Sequence, residues 1–405
     1  MRATNSNLDR PTRPTKQNPE ERETRLLPLD FTGTAGEFFR IWIVNITLTI
    51  LTLGIYGAWA KVRTRRYFHV NTLLDGQAFD YLARPGTIFK GYLIVGGAIL
   101  LISFSNKFFP LTGFALSIAG WCSVPYLLYK AHRFKLRNSA YRNIRFHFTG
   151  GPREAYKAYA IFPLAALFSL IFYMLPVISG TSIKPEPGAA PNITIIMLSV
   201  VLSLVLLAVY PYFAFLHRRY FHENMAYGKT AGSFRGKAKP FYGIYASAVF
   251  MMLAAFFFGG LFIGMSAGLI AHLVIESGQI SKTGIMGITL FSFISFALLF
   301  TLVQQYIYSG TFNYAWKHTR LGPVEFDVSL KARDLAWIRF TNLLAILLSV
   351  GLLVPWAKVR RARYIITRTV VVFSGDMDAF EADTVYDEDA VGDTAADFFD
   401  WDFGW

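Results

Sequence analysis

Hydrocarbon offers a polar side chain no partner, so an ionisable or amide group inside an apolar run is the natural place to look for chemistry. This 405-residue chain holds few of them. His272 falls late in the apolar run 241–275, where an imidazole can relay a proton or meet a polar substrate. Asn45 and Asn342 sit near the starts of two shorter runs, 41–59 and 335–356. There an amide can cap a broken helix, bond across helices or hold a polar ligand. With His272 these asparagines make a candidate intramembrane polar site, helix-to-helix bonding being the plainer use of the same amides. Arg40 and Arg339 open the two short runs, and their long stems allow the guanidinium to reach the headgroups.

A second set of residues lies where those runs leave the apolar zone. Trp59, Lys61, Arg63, Arg65, Arg66 and Tyr67 end the first, and Trp356, Lys358, Arg360, Arg361, Arg363 and Tyr364 end the last. Aromatic rings settle at a membrane interface while cations meet anionic phosphate, at about 1 kcal/mol per basic residue. These are headgroup and interface anchors, and a collar of such belts is also a means of recognising a lipid headgroup. His217, His222 and Glu223 raise the question of zinc, but histidines at i and i+5 diverge on a helix and the arginines between them repel a cation. No metal and no cofactor are expected. Nor is an enzyme, because no GxSxG elbow, GxxxxGK[ST] loop or GxGxxG fingerprint occurs. A lipid-modifying enzyme would have to draw on His69, His217 or His222.

The elements that position these residues follow from composition. Hydrophobic residues make up 54% of the chain and charged ones 16%, too few to cover a soluble surface. Apolar runs at 88–105, 108–129, 158–179, 193–216, 241–275 and 284–309 approach or exceed the roughly 20 residues that span a bilayer as helix. The net charge of +14 sits between these runs and not on one soluble face, so nucleic acid is not the expected partner; anionic lipid of the inner leaflet is, and the sequence leaves protein partners open. Basic residues crowd 61–90, 130–157, 217–240 and 310–333, while the alternate loops hold Lys107, Lys184 and Lys282. By the positive-inside rule the basic loops and both termini face the cytoplasm of a bacterial inner membrane. The lone Cys122 excludes an intrachain disulfide.

Residues 45–67 and 342–364 align without a gap at an offset of 297 (342 − 45), sharing WAKVR, an Arg-Tyr pair, Gly54 with Gly351, and the two asparagines. Weaker copies of the aromatic and basic exit occur at 126–138, 212–224 and 306–320. Short alternating stretches at 27–33, 76–82, 143–150, 231–236, 323–330 and 368–375 read as half-buried strands. The expected fold is therefore a mainly α, polytopic membrane protein of pseudo-repeated helical hairpins, with short cytoplasmic strands forming a cap. Its modules fall at 27–75, 76–142, 143–230, 231–322 and 323–380, between a polar tail at 1–26 and a tail at 381–405 with nine acids and no bases. In the first and last modules the charge rule favours re-entrant segments that bend back near Gly54 and Gly351 over single spans.

FTGTAGEFFRIWIVN near the start, GIYGAWAKVRTRRYF, RRYFHEN and the closing ADFFDWDFGW resemble the YjgN-type bacterial inner-membrane proteins, from about residue 28 to the C-terminus. That family is a domain of unknown function, so the resemblance implies class and location and supplies no site residue. The function expected is transport, or a channel-like role, for a lipid or anionic amphiphile. The alternative is a non-catalytic protein that organises membrane or binds a partner.

Overall fold

Short alternating strands and long apolar helices follow one another in a fixed order along the chain. The computed structural model describes residues 24–178, 193–277 and 282–374. Strand β1 (Thr24–Phe31) leads into helices α1 (Ala35–Leu51) and α2 (Gly57–Val70), which return the chain to β2 (Thr72–Leu74). The next unit runs β3 (Gln77–Tyr81), α3 (Pro85–Phe108), α4 (Pro110–Arg137), β4 (Ser139–Tyr141). The third is β5 (Ile144–Phe148), α5 (Pro152–Ala158), α6 (Ile161–Ile178), α7 (Ile193–Glu223), β6 (Met225–Tyr227). The fourth is β7 (Thr230–Phe234), α8 (Lys239–Ser277), α9 (Lys282–Lys317), β8 (Thr319–Leu321). The last is β9 (Val324–Val328), α10 (Ala332–Leu348), α11 (Val354–Thr367), β10 (Thr369–Ser374).

The strands do not form a cap on a helical bundle. They close into a ten-stranded antiparallel barrel in the order β1-β10-β9-β8-β7-β6-β5-β4-β3-β2, with β2 pairing back to β1. This corrects the fold expected from sequence, and the reason is physical. Four strands, β2, β4, β6 and β8, are three residues long, too short to show alternation. Without them every longer strand except β10, which pairs with both β1 and β9, would present an unpaired edge, and closure removes every edge.

The register places all helices on one rim. Phe31 pairs with Thr72, Tyr81 with Ser139, Phe148 with Met225, Phe234 with Thr319 and Val328 with Thr369, and a helical unit leaves and returns at each of these pairs. At the other rim two-residue turns at 75–76, 142–143, 228–229 and 322–323 join the strands. The positive φ of Asp75, Gly76, Arg142 and Asn143 fits the primed turns that match strand twist. The fifth position on that rim is where the outer ends of β1 and β10 meet, Thr24 pairing with Ser374.

One bond recurs at all five junctions. The amide of the residue following the inbound strand donates to a carbonyl at the end of the returning helix: Thr32 to Asn71, Leu82 to Asn138, Thr149 to Asn224, Arg235 to His318 and Ser329 to Arg368, at 2.8 to 3.2 Å.

Inside the barrel Leu74, Tyr141, Tyr227, Leu321, Val324, Val371 and Phe373 form an apolar cluster. Outside, Asp30, Asp80, Arg145 and Asp327 are exposed. Ion pairs brace the outer wall, Arg142 with Asp75 at 2.9 Å and Arg320 with Glu325 at 2.6 Å. A charged wall suits water and not lipid. Among the described residues four helices have stretches long and apolar enough to cross a membrane: Pro85–Phe108, Pro110–Arg137, Met197–Glu223 and Lys239–Leu261.

Candidate functional site

A cavity of about 740 Å3 runs from the barrel interior up between the helices of the first and last units. Its lower wall is the apolar barrel interior, including Leu74, Phe79, Tyr141, Val371 and Phe373. Tyr141 and Tyr227 turn rings into this space while their hydroxyls donate to the carbonyls of Leu74 and Tyr141, at 2.8 and 2.9 Å.

Its upper wall is cationic. On α2 and just past it, Lys61, Thr64, Arg65, Phe68, His69 and Thr72 line the space. Their spacing is that of one helical face, whereas Arg63 and Arg66 point outward and are exposed. Lys135 from α4 and Lys358 from α11 complete the set, and no carboxylate lines the cavity among the described residues. Arg65 is 8% exposed, donates to the Tyr81 hydroxyl at 2.9 Å and lies over its ring. Burial, with Lys135 and Arg65 alongside, pushes the His69 imidazole down to about 4, although its Nδ1–H donates to the Arg65 carbonyl at 2.8 Å. At neutral pH His69 is uncharged and the cationic character comes from the lysines and Arg65.

Asn45 lines the same cavity beside Trp42, Ile46 and Thr49. Its Nδ2 donates to the carbonyl of Ala60 at 3.4 Å, and Asn342 makes the matching bond to Ala357 at 3.1 Å. Each asparagine thus fastens its own short hairpin. The turns above them match bond for bond. In the first, the amides of Thr52, Leu53, Gly54, Ile55 and Gly57 find carbonyls of Leu48, Ile50, Thr49, Thr52 and Gly54, and that of Tyr56 finds the Thr52 hydroxyl. In the last, the amides of Ser349, Val350, Gly351, Leu352 and Val354 find carbonyls of Ala345, Leu347, Ile346, Ser349 and Gly351, and that of Leu353 finds the Ser349 hydroxyl. Gly54 and Gly351 reverse the chain at φ of 94° and 90°, where a side chain is strained. The tips expose apolar residues, Leu53 at 95% and Val350 at 92%.

The asparagines differ in one respect. Arg360 Nη1 reaches Asn342 Oδ1 at 3.1 Å and the Thr341 hydroxyl at 2.6 Å. The corresponding Arg63 instead donates to the Tyr56 hydroxyl at 3.2 Å. The residue matching Thr341 is Val44, and that matching Tyr56 is Leu353. Asn45 Oδ1 is therefore buried with no donor among the described residues.

The remaining residues singled out from sequence fall elsewhere. His272 belongs to α8, and its side chain lies outside the described residues. Arg40 and Arg339 are exposed on α1 and α10. Trp59 packs on Tyr56 and Phe89, and Arg360 and Arg361 lie over Trp356 and Tyr308. Tyr67 donates to the Thr34 carbonyl at 2.8 Å, Tyr364 to Asp334 at 3.1 Å, and Arg363 to the Gly33 carbonyl at 2.8 Å, tying helix ends to strand ends. His217 and His222 have different neighbours: His217 sits against His132 and Tyr159, while His222 meets the Thr319 hydroxyl at 3.0 Å. Glu223 pairs with Arg219 at 2.8 Å. Lys135 and the inward turn of His69 escaped the reading of the sequence. The i, i+3, i+4 spacing from Lys61 to Thr72 marks the face that carries His69, but only the fold shows that this face meets a cavity.

A sequence-family profile described as bacterial protein of unknown function (DUF898) matches residues 26–398. The protein named Inner membrane protein YjgN of Salmonella typhimurium strain LT2 is 24% identical over 364 residues, 87% of this chain and 90% of that one. Proteins of the same name from Escherichia coli O157:H7 and strain K12 are 31% identical over 119 residues and 26% identical over 184. These alignments cover 29% and 44% of this chain, and 30% and 42% of the relatives. No solved structure matches.

Proposed function

This chain belongs to the DUF898 family of bacterial membrane proteins, and we propose that it takes an anionic amphiphile from the inner leaflet into the barrel cavity, as a transport or transfer protein. One observation carries the reading: a single cavity joins an apolar barrel interior to a wall that bears Lys61, Arg65, Lys135 and Lys358. Clustered cations beside an apolar chamber favour a ligand with a charged head and a hydrocarbon body. The charged outer wall of the barrel supports placing it in water, and the basic loops support the cytoplasmic side. Self-satisfied turns with exposed leucine and valine support short hairpins that end within the hydrocarbon. The five units then act as copies of one hairpin, two of them shortened where the cavity reaches the bilayer. No bond-breaking step belongs to this reading.

Native mass spectrometry of the protein, gently extracted from its own membrane, tests it. An anionic amphiphile retained in fixed ratio, and lost from the combined Lys61→Gln, Lys135→Gln, Lys358→Gln variant, is the expected result. Retention of bulk phospholipid in proportion to the membrane, in wild type and variant alike, overturns it; a protein partner recovered instead favours an organising role.

A further inference from the structure

Resting on the reading of the cavity as a site for an anionic amphiphile, we infer that His69 couples that site to protons: the imidazole takes up a proton as the anion enters, and the anion is held more weakly once that proton is lost. His69 is the one histidine among the described residues that line the cavity. It stands one helical turn beyond Arg65 and two beyond Lys61, on the same face of α2.

The hydrogen bonds say which nitrogen takes part. Nδ1 lies 2.8 Å from the Arg65 carbonyl oxygen. A carbonyl only accepts, so Nδ1 carries the hydrogen of the neutral ring and Nε2 is the nitrogen that can gain one. Nε2 meets the Ser139 hydroxyl oxygen at 3.4 Å, and that hydroxyl donates to the Lys135 carbonyl at 3.0 Å. With the ring neutral, one hydroxyl hydrogen is shared between two acceptors, Nε2 and the carbonyl. A proton on Nε2 supplies a second hydrogen: Nε2–H donates to Ser139, Ser139 to Lys135 and Nδ1–H to Arg65, without the ring turning. The imidazolium thus has both its acceptors in place before it forms.

What opposes the proton is electrostatic. Burial disfavours the charged ring, and Lys135 of α4 and Arg65 of α2 add to this, against the Arg65 carbonyl and Asp80 of β3; the balance leaves His69 at about 4. Tyr81 of β3 packs its ring on the imidazole at 5.1 Å between centroids. An anion in the cavity adds a negative charge beside the wall that carries His69, and so favours the imidazolium. Linkage makes the effect mutual, the imidazolium strengthening the hold on the anion by the same factor. The proton comes from water and returns to it, and no bond in the ligand changes. The site tightens as pH falls.

The test is the binding of a phosphoglycerol lipid, whose phosphodiester keeps one negative charge from pH 5 to pH 8, to the delipidated full-length protein. A zwitterionic choline lipid with the same acyl chains is the reference. An opposite charge a few ångströms away favours a protonated group by roughly ten- to a thousandfold. The middle of that range makes wild type bind the anionic lipid, relative to the choline lipid, roughly tenfold more tightly at pH 5 than at pH 8. Calorimetry at pH 5 in two buffers of different ionisation enthalpy should show uptake of most of one proton per anionic lipid bound. His69→Gln should bring the pH ratio close to one and abolish the uptake, whatever its absolute affinity. Ser139→Ala, which removes the acceptor for Nε2–H and leaves His69 in place, should shrink both. Equal wild-type binding at the two pH values without proton uptake, the anionic lipid still exceeding the choline lipid, overturns the coupling and leaves the anion site standing. Uptake that persists in His69→Gln, or is undiminished in Ser139→Ala, also overturns it. If the anionic lipid exceeds the choline lipid at neither pH, both readings fall.

Discussion

Asn342 Nδ2 donates to the carbonyl oxygen of Ala357 at 3.1 Å, and this one bond fastens the rising helix of the last hairpin to its returning helix. The same amide also receives Arg360, so it joins three groups in a buried corner. Asn342→Ala removes both bonds, and about 1 to 3 kcal/mol of stability should be lost. Asn45→Ala removes only the bond to Ala60 and should cost less. Thermal unfolding in one detergent measures both, and equal losses would contradict the asymmetry of the two sites.

Depth is the second expectation. Nitroxide labels on Leu53→Cys and Val350→Cys, in a Cys122→Ser background, should collide readily with oxygen and poorly with a water-soluble nickel chelate. Asp75→Cys and Lys229→Cys, in the turns of the opposite rim, should do the reverse and react with an impermeant maleimide from the same face. High nickel accessibility at the tips would place them in water and sink the hydrocarbon assignment.

Gly54 and Gly351 supply a third. Both have positive φ, and nothing lies within 4 Å of where a Cβ would stand. Strain in the backbone is therefore the whole effect of a substitution. Gly54→Val and Gly351→Val should each lower stability by about 1 to 3 kcal/mol. Gly36→Ala, in a helix with equally open surroundings, should be neutral or raise stability by up to about 1 kcal/mol. A similar shift in all three would refute the conformational cause.

The fourth concerns pH. Burial holds His69 at about 4 in the folded protein against 6.5 as the ordinary value. Above pH 6.5 the imidazole is neutral in both states and the folded protein keeps its full stability. As pH falls from 6.5 towards 4 the unfolded chain takes up the proton first, so stability declines, by up to about 3 kcal/mol. His69→Gln should flatten that part of the profile in a pH series of Tm. An unchanged slope would assign the acid sensitivity to other groups.

Much of this arrangement is written locally. The matched asparagines, the glycines that reverse the two short hairpins and the basic exits all appear in the alignment of 45–67 with 342–364, because each depends on neighbours a few residues away. Alternation likewise marks the stretches that become β1, β3, β5, β7, β9 and β10. Three-residue strands such as Thr72–Leu74 leave no periodic trace, and Thr24 meets Ser374 only because the chain closes on itself. Whether Arg65 faces inward while Arg63 and Arg66 face out is a helical phase that can be counted from sequence. What that face meets is a long-range matter. Residue types and spacing determined that this is a membrane protein, and favoured turning back over spanning in its two short segments without deciding between them. The tertiary structure alone decided that ten short strands close into a barrel, and that cations from helices far apart in sequence converge over one cavity, because pairing and convergence join residues whose separation leaves no local pattern.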